Sequence, residues 1–150
     1  MQNDRFIADT KNNIGYIVHE DGQYTSFPVG SGRRGVVRYI GITYNATTPV
    51  KRWTVESLDI KKGDRATFGN TGRFLRLYTK EWGRTAYGIH ATSNIDELLS
   101  WNDRFQSMGC VLVSDAVLDI LEQTYYLNGE TLDVATTYGM EESLLTAQAQ

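Results

Sequence analysis

Two side chains in this sequence are suited to covalent chemistry. Cys110 is its one cysteine, and His90 is one of two histidines. A thiol attacks as its thiolate, and a neighbouring imidazole supplies that form by taking the proton. Attack on a carbonyl also needs donors for the oxygen that becomes negative. Gly109 stands just before the thiol, and a glycine there lets the backbone turn so that main-chain N–H groups can face that oxygen. His90 would be the general base, later returning the proton to the leaving group. Taken alone, a single cysteine is more often a small buried hydrophobe. His19, beside Glu20-Asp21-Gly22, reads as a surface histidine on a hairpin.

These residues must be held by strands. Phe6-Ile7-Ala8 is a short apolar run, and Ile14, Tyr16 and Val18 alternate after a Lys11-Asn12-Asn13 turn, which predicts a hairpin. Tyr24 to Val29 is a third strand after Asp21-Gly22. Gly30 to Gly35 is a loop without the Gly-Lys-Ser/Thr ending of a phosphate cradle. Val36 to Tyr44, Arg52 to Ile60, Arg73 to Thr79, Arg84 to Ala91, Gly109 to Val113 and Thr131 to Thr137 are further strand candidates. Leu75 and Leu77 would share one face, with Phe74, Arg76 and Tyr78 on the other.

Helical spacing enters at Ile95, Leu98 and Leu99, with Ser93 and Asp96 resembling a capping box, so a helix is expected near 94–102. A second is expected over 114–126, capped by Ser114 and buried along Val117, Leu118, Leu121 and Tyr125. The expected fold is mainly β, a twisted β-sandwich or partly closed barrel with these two helices. One domain over 1–140 and a tail over 141–150, partly helical or frayed, fit the length.

Composition removes other classes. The net charge of -3 and the lack of a clustered basic face give no reason to expect nucleic acid. One cysteine permits no disulfide within the chain. No apolar run is long enough for a transmembrane segment. Met1 to Arg5 shows no signal peptide; the chain stays inside, or an export signal was removed or lies elsewhere.

The segment around the two reactive residues is informative. Tyr87-Gly88-Ile89-His90-Ala91-Thr92, a spacer from Ser93 to Gln106, then Ser107-Met108-Gly109-Cys110-Val111 resembles the signature of the L,D-transpeptidase (YkuD-type) family. Phe6 to Asp9, Ile17 to Gly22 and Phe27 to Gly30 are similar to that family's opening strands. Thr48-Pro49 followed by Trp53-Thr54-Val55 resembles its Thr-Pro-x-Gly-x-aromatic segment, with Lys51 in place of the glycine. The resemblance runs from about residue 5 to 137. Met108 stands where the family usually has a second histidine, and Leu112 where it has Asn or Arg, which marks a divergent member.

The resemblance implies a cysteine L,D-transpeptidase acting on peptidoglycan in the periplasm or cell envelope, with no metal and no organic cofactor. Cys110 would be acylated by a tetrapeptide donor stem, releasing D-alanine, and an amine acceptor would resolve the thioester. By analogy, the N–H groups of Gly109 and Cys110 would hold the oxyanion. Ser107 would brace the loop before the nucleophile, and Thr92 would orient His90 by its hydroxyl or main chain; no Asp or Asn is placed as a third member, so a backbone carbonyl is the expected partner of the imidazole. Tyr87, Arg84, Trp82 and Met108 are the candidates for contacting substrate. An L,D-carboxypeptidase or exchange enzyme serving as an antibacterial effector or phage factor, a catalytically inactive peptidoglycan-binding domain, and an unrelated cysteine hydrolase are the alternatives.

Overall fold

The computed structural model describes residues 2–140, and the expected tail over 141–150 lies outside the described residues. The strands are β1 (Arg5–Asp9), β2 (Ile14–Val18), β3 (Tyr24–Pro28), β4 (Ser31–Gly32), β5 (Val36–Tyr39), β6 (Ile42–Asn45), β7 (Arg52–Ile60), β8 (Arg73–Thr79), β9 (Gly83–His90), β10 (Phe105–Ser107), β11 (Val111–Leu112) and β12 (Leu132–Thr137). The helices are α1 (Arg65–Phe68), α2 (Ile95–Leu98) and α3 (Asp115–Leu127). Eight strands form one curled sheet in the order β11-β9-β8-β7-β12-β1-β2-β3. Of the two expected architectures, this half-barrel is the partly closed barrel.

Alternation fills the concave side. Phe6 and Ala8 of β1, Trp53 and Val55 of β7, Leu75 and Leu77 of β8, and Ile89 of β9 are all buried in one cluster. α3 lays its Val117, Leu118, Leu121 and Tyr125 stripe into the same cluster. Ser114 caps it, accepting a hydrogen bond from Val117 N at 3.2 Å. Arg73 binds the exposed flank of α3 through Asp119 at 2.7 Å and Glu122 at 3.4 Å.

Four local expectations change. The helix near 94–102 contracts to α2, whose N-cap Asn94 makes no side-chain capping bond. The run from Val36 to Tyr44 folds back on itself as the β5–β6 hairpin, turning at Ile40-Gly41 with φ of 53° and 73°. The Gly63-Asp64 turn continues into α1, capped by Asp64. The loop after Gly30 contains β4, which pairs with β10.

Candidate active site

β9 and β11 run parallel as neighbours, with Ile89 opposite Val111 and His90 opposite Leu112. Cys110 immediately precedes β11, so it comes level with Gly88, whose main chain hydrogen-bonds the thiol. His90 is two residues further along β9. Their backbones are thus separated by one strand spacing, roughly 4.8 Å, and two residues of rise, roughly 6.6 Å. Residues 20 apart in the chain lie side by side because Ser93 to Gln106 loops back through α2 and β10.

The imidazole packs against two phenylalanine rings that also meet each other edge-on at 5.8 Å. Phe74, its neighbour across β8, stacks on it with ring centroids 5.6 Å apart, and Phe68 of α1 approaches from above at 5.1 Å. His90 Nδ1 lies 2.7 Å from the Ala91 carbonyl, which requires Nδ1–H and makes the other nitrogen the basic one. The Thr67 main chain adds a second hydrogen bond that favours the charged ring. Burial outweighs both and pulls the His90 pKa below its usual 6.5. α1 is fastened over the ring by Ser93 N to Ala66 O at 3.4 Å, and its loop is closed by Lys61 N to Gly72 O at 2.7 Å.

The thiol is also held neutral. Burial pushes the Cys110 pKa from 9.0 up to about 11, against the lowering effects of the Gly88 hydrogen bond and the Arg76 charge. Arg76 pairs with Gly88 across the β8–β9 ladder. It donates to Asp59 Oδ2 from Nε at 2.9 Å and to the Thr85 carbonyl from Nη1 at 2.8 Å. Burial thus favours the uncharged form of both the thiol and the imidazole.

The loop before the thiol is braced at every carbonyl. Ser107 Oγ donates to the Cys110 carbonyl at 2.6 Å and accepts from Gly109 N at 3.1 Å. Thr48 Oγ1 donates to the Gly109 carbonyl at 2.8 Å, and Tyr44 OH to the Met108 carbonyl at 3.0 Å. Gly109 has φ of 128°, and a Cβ on it would meet the Tyr87 ring at 2.6 Å. Of the two expected oxyanion donors, the Gly109 N–H donates to Ser107 Oγ, which leaves the Cys110 N–H as the candidate.

Three further candidates are relocated. The hydroxyl of Thr92 donates to Asn94 Oδ1 at 2.9 Å, so it is Ala91, through its carbonyl, that orients His90. Arg84 has the parity of His90, so an unbroken strand would point both to one face; the β8–β9 register shifts between Arg76 and Tyr78 by two extra β9 residues, which keeps that parity. Thr85 Oγ1 caps the Leu77 carbonyl at 2.7 Å within this bulge. Arg84 ends up exposed opposite Tyr78, six residues from His90, and Arg76 is the arginine beside the thiol. Leu112 is buried in the core and pairs through its main chain with Gly30, which explains an apolar residue there.

Tyr87 and Trp82 do lie together, at 6.5 Å, with Trp53 packed edge-on against Tyr87 at 5.7 Å. This aromatic row leads from Gly109 toward a cavity of about 710 Å³ lined by Lys51, Arg52, Trp53, Lys80 and Glu81. Met108 is half-buried, and its carbonyl is its contact with the site's framework. Tyr44, Thr48, Phe68 and Phe74 were missed by sequence reading. Thr48 carried a signal in the Thr-Pro pair that resembles the family, and Phe74, cross-strand from His90, has the parity of Arg76 on a strand next to the motif. Among the described residues no group of three or more His, Cys, Asp or Glu is placed to hold a metal ion.

No family model and no curated protein matches the sequence. Solved structures do. An L,D-transpeptidase from Xylanimonas cellulosilytica aligns with a TM-score of 0.62 at 22% identity, covering 90% of this chain and 60% of that one. Bd1075 of Bdellovibrio bacteriovorus gives 0.64 at 15% identity over 99% and 54%. The helical cell shape determining protein Pgp2 of Campylobacter jejuni gives 0.58 at 18% identity over 97% and 54%. The chain has the L,D-transpeptidase fold, in a form of low sequence identity to these structures. It spans between half and three-fifths of the chains it matches.

Proposed function

We propose that the protein is a cysteine acyltransferase of the L,D-transpeptidase type that remodels peptidoglycan stem peptides in the cell envelope. The observation that supports this reading is the parallel pairing of β9 with β11, which brings Cys110 and His90 onto neighbouring strands, with His90 Nδ1 tied to the Ala91 carbonyl. Cys110 gives its proton to His90 as its sulfur attacks the carbonyl ahead of the terminal D-alanine of a tetrapeptide donor. The C–N bond breaks, His90 returns the proton to the leaving amine, and a thioester remains. A stem side-chain amine then yields a 3→3 cross-link, a D-amino acid gives exchange, and water gives trimming. Because burial favours the uncharged form of both groups, acylation starts from general-base attack.

The aromatic row of Tyr87 and Trp82 offers the donor stem a path, and Lys51 and Arg52 in the adjoining cavity suit its carboxylates. No helix among the described residues is long and apolar enough to cross a membrane. A second reading, a catalytically inactive peptidoglycan-binding domain, is favoured by the thiol pKa of about 11, since an inert buried cysteine has that property. Incubation with a purified disaccharide-tetrapeptide separates the two. The enzyme releases D-alanine in wild type and not in Cys110→Ala, whereas the binding domain leaves the tetrapeptide intact in both.

A further inference from the structure

We infer that Thr48 and Tyr44 are positioning residues for acyl transfer, aiming the oxyanion-binding N–H by holding the carbonyls of the nucleophile loop. The inference rests on the reading of Cys110 as an acylated nucleophile. Within a trans peptide unit the C=O and the following N–H point in opposite directions, so fixing one aims the other. Thr48 Oγ1 donates to the Gly109 carbonyl at 2.8 Å, and that peptide unit carries the Cys110 N–H. The hydroxyl has no rotational choice: it accepts from Gly32 N at 2.8 Å, and its single proton goes to Gly109. Thr48 is 3% exposed, so water does not compete for these bonds.

Tyr44 acts one unit earlier. Its hydroxyl holds the Met108 carbonyl at 3.0 Å, which turns the Gly109 N–H toward Ser107 Oγ at 3.1 Å. The Ser107 proton is thereby directed to the Cys110 carbonyl at 2.6 Å. Two of three carbonyls in this loop are therefore gripped from one outside segment, β6 and the turn that follows it. That segment is itself locked in place: a Cβ on Gly32 would collide with the Ala46 carbonyl, so only glycine permits this approach. The hairpin's tip projects Ile40 and Ile42 into solvent, so the grip comes from its base.

Two reactions of the same thiol separate this role from a merely structural one. Acylation by a carbapenem forms an S–C bond to a carbonyl carbon, opens the β-lactam C–N bond and needs an oxyanion donor. Alkylation by iodoacetamide forms an S–C bond with loss of iodide and needs none. Thr48→Val should slow acylation by about 10- to 100-fold, somewhat less than outright loss of an oxyanion donor. Its alkylation rate should stay within about twofold of wild type, because the thiol and its base are untouched. Thr48→Ser, which keeps the hydroxyl, should restore acylation. Thr48→Val also strands the Gly32 N–H, so if it does not fold, Tyr44→Phe carries the test with the same split expected. Unchanged acylation, or acylation and alkylation falling in equal proportion, overturns the positioning role alone. Wild-type protein that alkylates but is never acylated overturns the acyl-transfer reading and this role with it.

Discussion

Arg76 and Asp59 face one another across β8 and β7 in a two-pronged ion pair, with Nε and Nη2 of the arginine at 2.9 and 2.8 Å from one carboxylate oxygen. The pair lies next to the sulfur of Cys110, because Arg76 sits opposite Gly88. The Arg76 charge lowers the thiol's pKa. Arg76→Met should therefore slow iodoacetamide alkylation at a given pH, while Arg76→Lys, which keeps the charge, should slow it less. Equal slowing in the two variants would point to a purely structural role. Rates measured between pH 7 and 11.5 decide the matter.

His90 works as a base only while neutral, and burial draws its pKa below 6.5. The acid limb of carbapenem acylation should therefore fall below pH 6.5, with the rate flat from there toward neutrality. His90→Ala should acylate about 100-fold more slowly, the usual cost of losing a general base. Stopped-flow or mass-resolved acylation rates from pH 4.5 to 8 check both points.

The buried thiol also links stability to alkaline pH. A thiol whose pKa is 9.0 unfolded and about 11 folded holds its proton more tightly in the native state. Its contribution is fully present below pH 9 and is lost as the pH rises toward 11. The expected loss is about 2–3 kcal/mol, from two pKa units at 1.36 kcal/mol each. Urea midpoints at pH 8 and 11 should show wild type falling further than Cys110→Ala, which carries every other titrating group. Equal losses in the two proteins would contradict the burial of the sulfur.

Gly88 is required by packing. A Cβ there would run into the Phe74 ring, which stacks on His90. Gly88→Ala should lower stability by about 1–3 kcal/mol, the range for overpacking a filled site. It should also displace the imidazole, so acylation should fall by more than the loss of folded protein explains. Thermal melts beside acylation rates of the folded fraction test this.

Much of this was legible in the residues because the determinants are local. The α3 stripe and its Ser114 cap declare themselves within 12 residues, and Leu75 with Leu77 shows the core face of β8 by alternation alone. Side-chain chemistry alone leaves Cys110 and His90 open, since one Gly-Cys and one His are common; it is the family resemblance of the segment from Tyr87 to Val111 that singles them out. The failures have physical causes. The β5–β6 turn is made by Ile40 at φ 53°, a conformation β-branched residues seldom adopt, so no turn signal marks it. The β9 bulge, closed by the Thr85 hydroxyl on the Leu77 carbonyl, inserts two extra residues and so keeps the parity of Arg84 while leaving it exposed and away from His90. α1 and α2 are one turn each, held by their seats against His90 and the core rather than by helical periodicity. Thr48 stands in a Thr-Pro pair that resembles the family, but its bond to Gly109, 61 residues on, and that of Tyr44 to Met108, 64 residues on, have no local signature.

The most direct measurement is the intact mass of the protein after brief exposure to a carbapenem at neutral pH. The account predicts a mass increase equal to one carbapenem in wild type, lost in Cys110→Ala and slowed in His90→Ala. No adduct on folded wild-type protein, or an adduct that persists in Cys110→Ala, would contradict it.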